Sequence, residues 1–200
     1  MMLLLYALPA LAQWPTPPAA GWASVQASPE IECTADSEGL PWCYAEVDAP
    51  VAFARVVAVI RDLDHYPDTF DHVDDVRRLD ASTAWIHIDY PQPLADRDYV
   101  ARFAQVGDAD APGPAGAVNS FHIRFRAADS ADAPPLAEGA VRLPHAAGGY
   151  DAWDLGGGIT RVRYTWETEI GGQVPAWISE RARLVHGGEV IDGIVKTSAK

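Results

Sequence analysis

Lysine is almost missing from this sequence. Of 15 basic residues only Lys196 and Lys200 are lysines, and the rest are arginines. Set against 28 acidic residues, they leave a formal net charge of -13. A field of that sign repels phosphate backbones and argues against nucleic acid as a partner. It equally disfavours electrostatic adsorption to anionic lipid. Cysteine is scarce too, with two residues in 200. A chain of this length can build one core without metal or disulfide staples, and it has no room for two domains. The apolar run Leu3–Leu11 is far short of the about 20 residues that span a bilayer as a helix. No repeat at solenoid periods and no heptad array is present. What remains is 48% hydrophobic and 22% charged, the composition of a globular chain rather than a disordered one.

Residues 1–29 contain no Asp, Glu, Lys or Arg. The run Leu3–Leu11 and the small-x-small triplet Ala10-Leu11-Ala12 read as a signal peptide over residues 1–12, although no basic residue precedes it. A disordered or docked tail is the alternative. Residues 13–21, with Pro15, Pro17 and Pro18, read as an extended Pro/Ala-rich linker. Cys33 and Cys43 flank the turn-rich stretch Ala35–Gly39. If a hairpin closes there, the two face each other and can form a disulfide. The alternatives are two buried thiols or half of a metal site, and two Cys without nearby His make a poor zinc site. Together these features predict a periplasmic or secreted protein. The abundance of Ala and Arg suggests a bacterial source.

Further along, Glu30–Val47 reads as two strands. Asp48-Ala49-Pro50 supplies a helix start, with Pro50 at the first helical position and a helix over Val51–Leu63. The acidic connector Asp64–Asp75 lacks the Gly that a calcium loop needs and reads as a solvated face. Strands follow. Ile86, Ile88 and Tyr90 alternate with Trp85, His87 and Asp89. Phe121, Ile123 and Phe125 alternate with His122, Arg124 and Arg126, and Val162, Tyr164 and Trp166 with Arg161, Arg163 and Thr165. After Gly171-Gly172 the apolar period becomes helical, through Ile178, Ala182, Val185, Ile191, Ile194 and Val195, with Gly187-Gly188 as an expected interruption. Hairpin, helix, five or six antiparallel strands and a long C-terminal helix make an α+β domain. A curved antiparallel sheet must cover one face, and that helix is the cover available.

Two stretches carry a family resemblance. One is Tyr90-Pro91-Gln92-Pro93-Leu94-Ala95-Asp96-Arg97-Asp98-Tyr99-Val100; the other is Gly171-Gly172-Gln173-Val174-Pro175-Ala176-Trp177-Ile178. Over residues 22–196 the chain resembles the START (steroidogenic acute regulatory protein-related lipid transfer) domain. That family shows Pro-x-Pro before Arg-Asp-aromatic, then a Gly pair before the last helix. The resemblance implies a helix-grip fold, with a curved antiparallel sheet around a long C-terminal helix and a ligand tunnel between them. It implies a protein that binds one lipid of the phospholipid or sterol class; a monomer is the expected state. The lipid would be carried or sensed through transient membrane contact, without covalent chemistry, cofactor or metal. An enzyme of the same superfamily, such as a polyketide cyclase or small hydrolase, is the alternative.

The inward residues expected to line the tunnel are Ile86, Ile88, Tyr90, Tyr99 and Phe103 from the central strands. Phe121, Ile123, Phe125, Val162, Tyr164 and Trp166 come from the later ones, and Ile178, Ala182 and Val185 from the helix. A solid core is the competing role for each. Arg97 shares their parity, and a buried guanidinium needs an anion or several acceptors. Its partner is either a carboxylate, Asp96 or Asp98, or a ligand headgroup. His87, Asp89 and His122 fall on the outer face and are expected at the surface. No Ser-His-Asp or Cys-His motif is recognisable.

Overall fold

The computed structural model describes residues 23–27, 30–34, 40–92, 94–168, 171–172 and 174–200. The expected signal peptide (1–12), the linker (13–21) and the turn Ala35–Gly39 lie outside the described residues, as do Pro93 and Gln173 of the two motifs.

Period-2 alternation becomes one curved sheet. Its strands are β1 (Ala23–Ala27), β2 (Glu30–Cys33), β3 (Cys43–Ala49), β4 (Val73–Arg78), β5 (Thr83–Ile88), β6 (Arg97–Val106), β7 (Asn119–Ala127), β8 (Val141–Arg142), β9 (Ala146–Asp154) and β10 (Thr160–Thr168). Nine lie in the antiparallel order β1-β2-β3-β10-β9-β7-β6-β5-β4, and β8 adds a short parallel pairing to β6. Gly156, Gly157 and Gly158, all at positive φ, make the turn from β9 to β10 that residues with a Cβ would strain. Cys33 stands opposite Cys43 in the β2–β3 register, and a disulfide joins them.

The outer face of β10 is a row of cross-strand ion pairs. Arg161 donates to Asp48 at 2.6 and 2.8 Å, and Arg163 lies 2.5 Å from Glu46. This explains a shifted helix start. Asp48 is committed to Arg161 and β3 runs on through Ala49, so α1 spans Phe53–Arg61 with Ala52 as its N-cap. Pro50 sits in the bend before it rather than in its first turn. The acidic connector also holds more structure than expected. A 3-10 turn (Leu63–His65) and the short α2 (Tyr66–Thr69) bury Leu63, Tyr66 and Phe70 while their aspartates face water.

The last helix, α3 (Ala176–Ser198), is continuous for 23 residues. Gly187 does not interrupt it. A Cβ there would lie 2.0 Å from the Trp166 ring, so glycine is what lets the helix approach the sheet. Helices α1 and α3 divide the inner face of the sheet between them. In the second half of α3, Val190, Ile191 and Ile194 are buried in the common core. In the first half Trp177 is 68% and Val185 42% exposed.

Candidate ligand cavity

Registry orders the inner face into rows. Phe103, Phe125, Gly148 and Trp166 stand side by side on β6, β7, β9 and β10. Gly148 is needed in that row, because a Cβ on it would lie 2.5 Å from the Phe125 ring. One row on, Tyr150 faces Tyr164, and stacking continues from Tyr150 to Tyr164 to Trp166 with 5.0 Å between successive centroids. Against this aromatic wall stands the first half of α3.

Between wall and helix lies a recess of about 20 Å3. That is room for about one water-sized group. Eight of the expected residues line it: Ile88, Tyr90, Arg97 and Tyr99 on one side, Phe125, Tyr164, Trp166 and Ala182 on the other. Leu143, Ala146 and His186 complete it. A groove of about 250 Å3 opens beyond, lined by Pro91, Leu94, Trp177, Ile178 and Val185 among others. Tyr90, Ala182 and His186 border both spaces and form the partition. The expected tunnel is therefore a narrow recess continued by a groove. Ligand pockets usually enclose about 300–1,000 Å3, and the recess by itself is far smaller.

Five expected residues border neither space. Ile86, Phe103, Phe121 and Val162 are buried in the core, and Ile123 packs against it half-buried. For Phe121 and Val162 the reason is α1: its Val56 and Ile60 share the core with them, and its Arg61 lies 4.7 Å over the Phe121 ring. Sequence reasoning also missed His186. Its signal was present, since it follows Ile178 and Ala182 at four-residue helical spacing. Leu143 and Ala146 carried no comparable signal, because Leu143 is placed by its backbone bond to Asp98 next to the β8–β6 pairing and Ala146 by the β9–β10 register.

The recess is more polar than the row of inward Ile, Phe, Val and Trp suggested. Tyr164 Oη and His186 Nε2 share a hydrogen bond of 3.3 Å. Burial, with His72 nearby, depresses the His186 pKa to about 4, so the ring is neutral at pH 7. Burial pushes the Tyr90 hydroxyl up to about 12 and raises Tyr99 and Tyr164 further. Arg97 is 1% exposed; it donates to Ala95 O and, at 3.4 Å, to Gly171 O, and its guanidinium lies 5.7 Å over the Tyr90 ring. Desolvation lowers its pKa, partly offset by Tyr90 and Asp96. Asp98 is not its partner. That carboxylate is on the opposite face, bonded to Trp85 Nε1 at 2.8 Å and held by Arg142 at 2.5 and 2.9 Å.

The outer face corrects another expectation. His122 is on that face but not at the surface, being 1% exposed. Its Nδ1 lies 2.8 Å from Asp151, which also accepts from Arg124 Nη1 at 2.7 Å. His87 is half-buried between Asp74 and Asp96, and Asp89 is exposed.

No family model matches the chain. A curated relative, an uncharacterized protein of Pseudomonas aeruginosa, is 33% identical over 104 residues, 51% of this chain. The match spans about half of that relative, 46% of its length. Solved structures match more fully. A STAR-related lipid transfer protein of Xanthomonas axonopodis superposes with TM-score 0.70 at 20% identity, covering 90% of this chain and 99% of that one. The fold is the START fold. Human StAR-related lipid transfer protein 5 shares it with TM-score 0.64 at 12% identity, over 85% of this chain and 81% of its own. So does an aromatase/cyclase of Streptomyces sp. R1128, with TM-score 0.57 at 15% identity, over 79% and 93%. Within the START fold the recess lies where sheet and grip helix face each other.

Proposed function

We propose that this START-fold protein binds one lipid between its sheet and α3 and carries or presents it to a membrane, without covalent chemistry. The observation that carries this reading is the pair of adjoining spaces beneath the first half of α3, where Trp177 and Val185 are exposed, while Val190, Ile191 and Ile194 of the second half are packed in the core. Helix α3 acts as the gate. Its second half stays on the core through Val190, Ile191 and Ile194, and its first half moves aside, away from Pro91 and Leu94. The lipid is driven in by burying apolar surface, at about 25 cal/mol per Å2. Trp177, exposed at the head of α3, touches the membrane during transfer. The Cys33–Cys43 disulfide supports a place of work in an oxidising compartment, periplasmic or secreted. Among the described residues, no helix is long and apolar enough to cross a membrane.

A second reading has its own support. The tyrosines, His186 and Arg97 give the recess polar groups that acid–base chemistry could use, and an aromatase/cyclase shares the fold. One experiment separates the two. The protein is purified from its own host and examined by native mass spectrometry, then mixed with vesicles of host lipid. A carrier retains a lipid and releases it to acceptor vesicles with its mass unchanged. A ligand returned with altered mass supports the enzyme, and absence of any retained lipid refutes the carrier.

A further inference from the structure

On the outer face of the sheet, His122 is 1% exposed. Its Nδ1 lies 2.8 Å from Asp151, and its Nε2 has no hydrogen-bond partner among the described residues. Buried polar nitrogens are nearly always paired. The group that faces this Nε2 is the carboxylate of Asp108, 3.3 Å away. Asp108 opens the 3-10 turn Asp108–Asp110 between β6 and β7, and its side chain is 79% exposed. We propose that His122 Nε2 and the Asp108 carboxylate are two ligands of one divalent transition-metal ion of the zinc type, with water completing its shell. The site lies across the sheet from the recess and is independent of the lipid-binding reading.

The placement of protons selects a cation. Asp151 Oδ1 accepts from Arg124 Nη1 at 2.7 Å and takes the proton on His122 Nδ1 as well. Nε2 of the neutral ring then offers only a lone pair, and it faces an oxygen that also only accepts. A protonated ring would donate to Asp108 instead, but such charge-assisted bonds are about 2.7–2.9 Å long. The observed 3.3 Å is longer. It fits a shared ion, because two ligands bonded at about 2.0–2.2 Å to a tetrahedral ion stand about 3.3–3.5 Å apart. The groups behind the ligands fit too. A metal-bound imidazole donates its other N–H to a carboxylate, as His122 does to Asp151, and a metal-bound carboxylate is itself hydrogen-bonded, as Asp108 is by Ser120 Oγ. The loop is anchored on the same face: Ala111 is buried, and Gly113 packs on Trp153, whose ring lies 5.4 Å from that of His122. An ion enters past the exposed Asp108 side chain. Imidazole suits zinc, nickel or copper, whereas magnesium and calcium prefer oxygen ligands alone. The net charge of -13 draws cations to the protein. Among the described residues no three His, Cys, Asp or Glu groups converge on one ion, so binding is weaker than at a four-ligand structural zinc and the ion exchanges with solution. Bound, it clips the β6–β7 connection onto β7.

The test uses the whole protein with its disulfide intact, titrated calorimetrically with zinc chloride in a non-chelating buffer. Magnesium chloride and calcium chloride are the controls. Zinc should bind one-to-one, and neither control should bind at that site. Asp108→Ala, a change at an exposed side chain, should weaken zinc by at least about tenfold, the lower end of what even an outer-shell group contributes. Two other His–carboxylate pairs, His65 with Asp62 and His145 with Glu167, could hold zinc loosely. His65→Gln and His145→Gln should therefore leave the one-to-one affinity unchanged. Nitrogen-15 spectra of the histidine rings supply a second readout that needs no substitution at the buried His122. Zinc should shift His122 Nε2 and leave Nδ1 protonated. Failure of zinc to bind one-to-one overturns the proposal, as does an affinity that survives Asp108→Ala. Zinc lost on His65→Gln or His145→Gln assigns the ion to a different pair and also overturns it. A His122 ring signal unmoved by saturating zinc does the same, whatever the calorimetry shows.

Discussion

The backbone of Gly187 meets the indole of Trp166 so closely that a Cβ would lie 2.0 Å from the ring. Trp166 is fully buried and cannot swing away, so α3 itself must give. Gly187→Ala should destabilise the fold by about 1–2 kcal/mol, the overpacking cost less the better helix propensity of alanine. Because the strain lifts α3 over the recess, lipid exchange between vesicles should also quicken. Chemical denaturation and a vesicle transfer rate check the two effects; an unchanged melting point would show that helix and wall do not meet this closely.

Phe121 and Phe125 both face inward on β7, yet only Phe125 borders the recess. Replacing either with alanine should cost about 3–5 kcal/mol of stability. Lipid affinity of the folded fraction should change for Phe125→Ala and remain at the wild-type value for Phe121→Ala. Binding titrations at a temperature where both variants are folded decide this.

The depressed His186 pKa has a consequence for stability. Between about pH 6.5 and about pH 4 the unfolded chain takes up a proton at His186 that the folded protein does not. Its neutral, buried state is thus fully compatible with folding above pH 6.5, and stability falls as the pH drops toward 4. Because the ring is half-buried rather than sealed from solvent, the loss is about 1–2 kcal/mol. Melting curves of wild type and His186→Gln should diverge over that window and run parallel above it.

Asp151 accepts from Arg124 and lies against His122 on the outer face, 3% exposed. Asp151→Asn removes the charge that compensates a buried cation and should cost about 3 kcal/mol. The recess is on the other side of the sheet, so lipid affinity of folded protein should be unchanged. A matched loss of affinity would mean that the two faces are coupled.

Joining residues ten apart, the Cys33–Cys43 bridge ties β2 to β3. Reduction, or the double change Cys33→Ser with Cys43→Ser, should lower stability by about 2–3 kcal/mol through the entropy of a freed loop. Thiol counting under denaturing, non-reducing conditions should find no free thiol.

Strand parity was legible in the sequence. The alternation around Ile88, Phe125 and Tyr164 assigned each of these side chains to the inner face, and Arg161 and Arg163 to the outer. The cross-strand disulfide and the order of strands and grip helix could likewise be read, because a period of two and a turn are local facts. What covers each face is not local, and only the tertiary structure decided it. Helix α1 claims Phe121 and Val162 for a solid core, while α3 leaves room beside Phe125 and Trp166. The same limit hid the burial of His122 beneath the outer-face packing and gave Gly187 the look of a helix break. An amino-acid pattern fixes which way a side chain points from its own backbone; whether it meets a neighbour, water or empty space depends on elements that arrive from elsewhere in the chain.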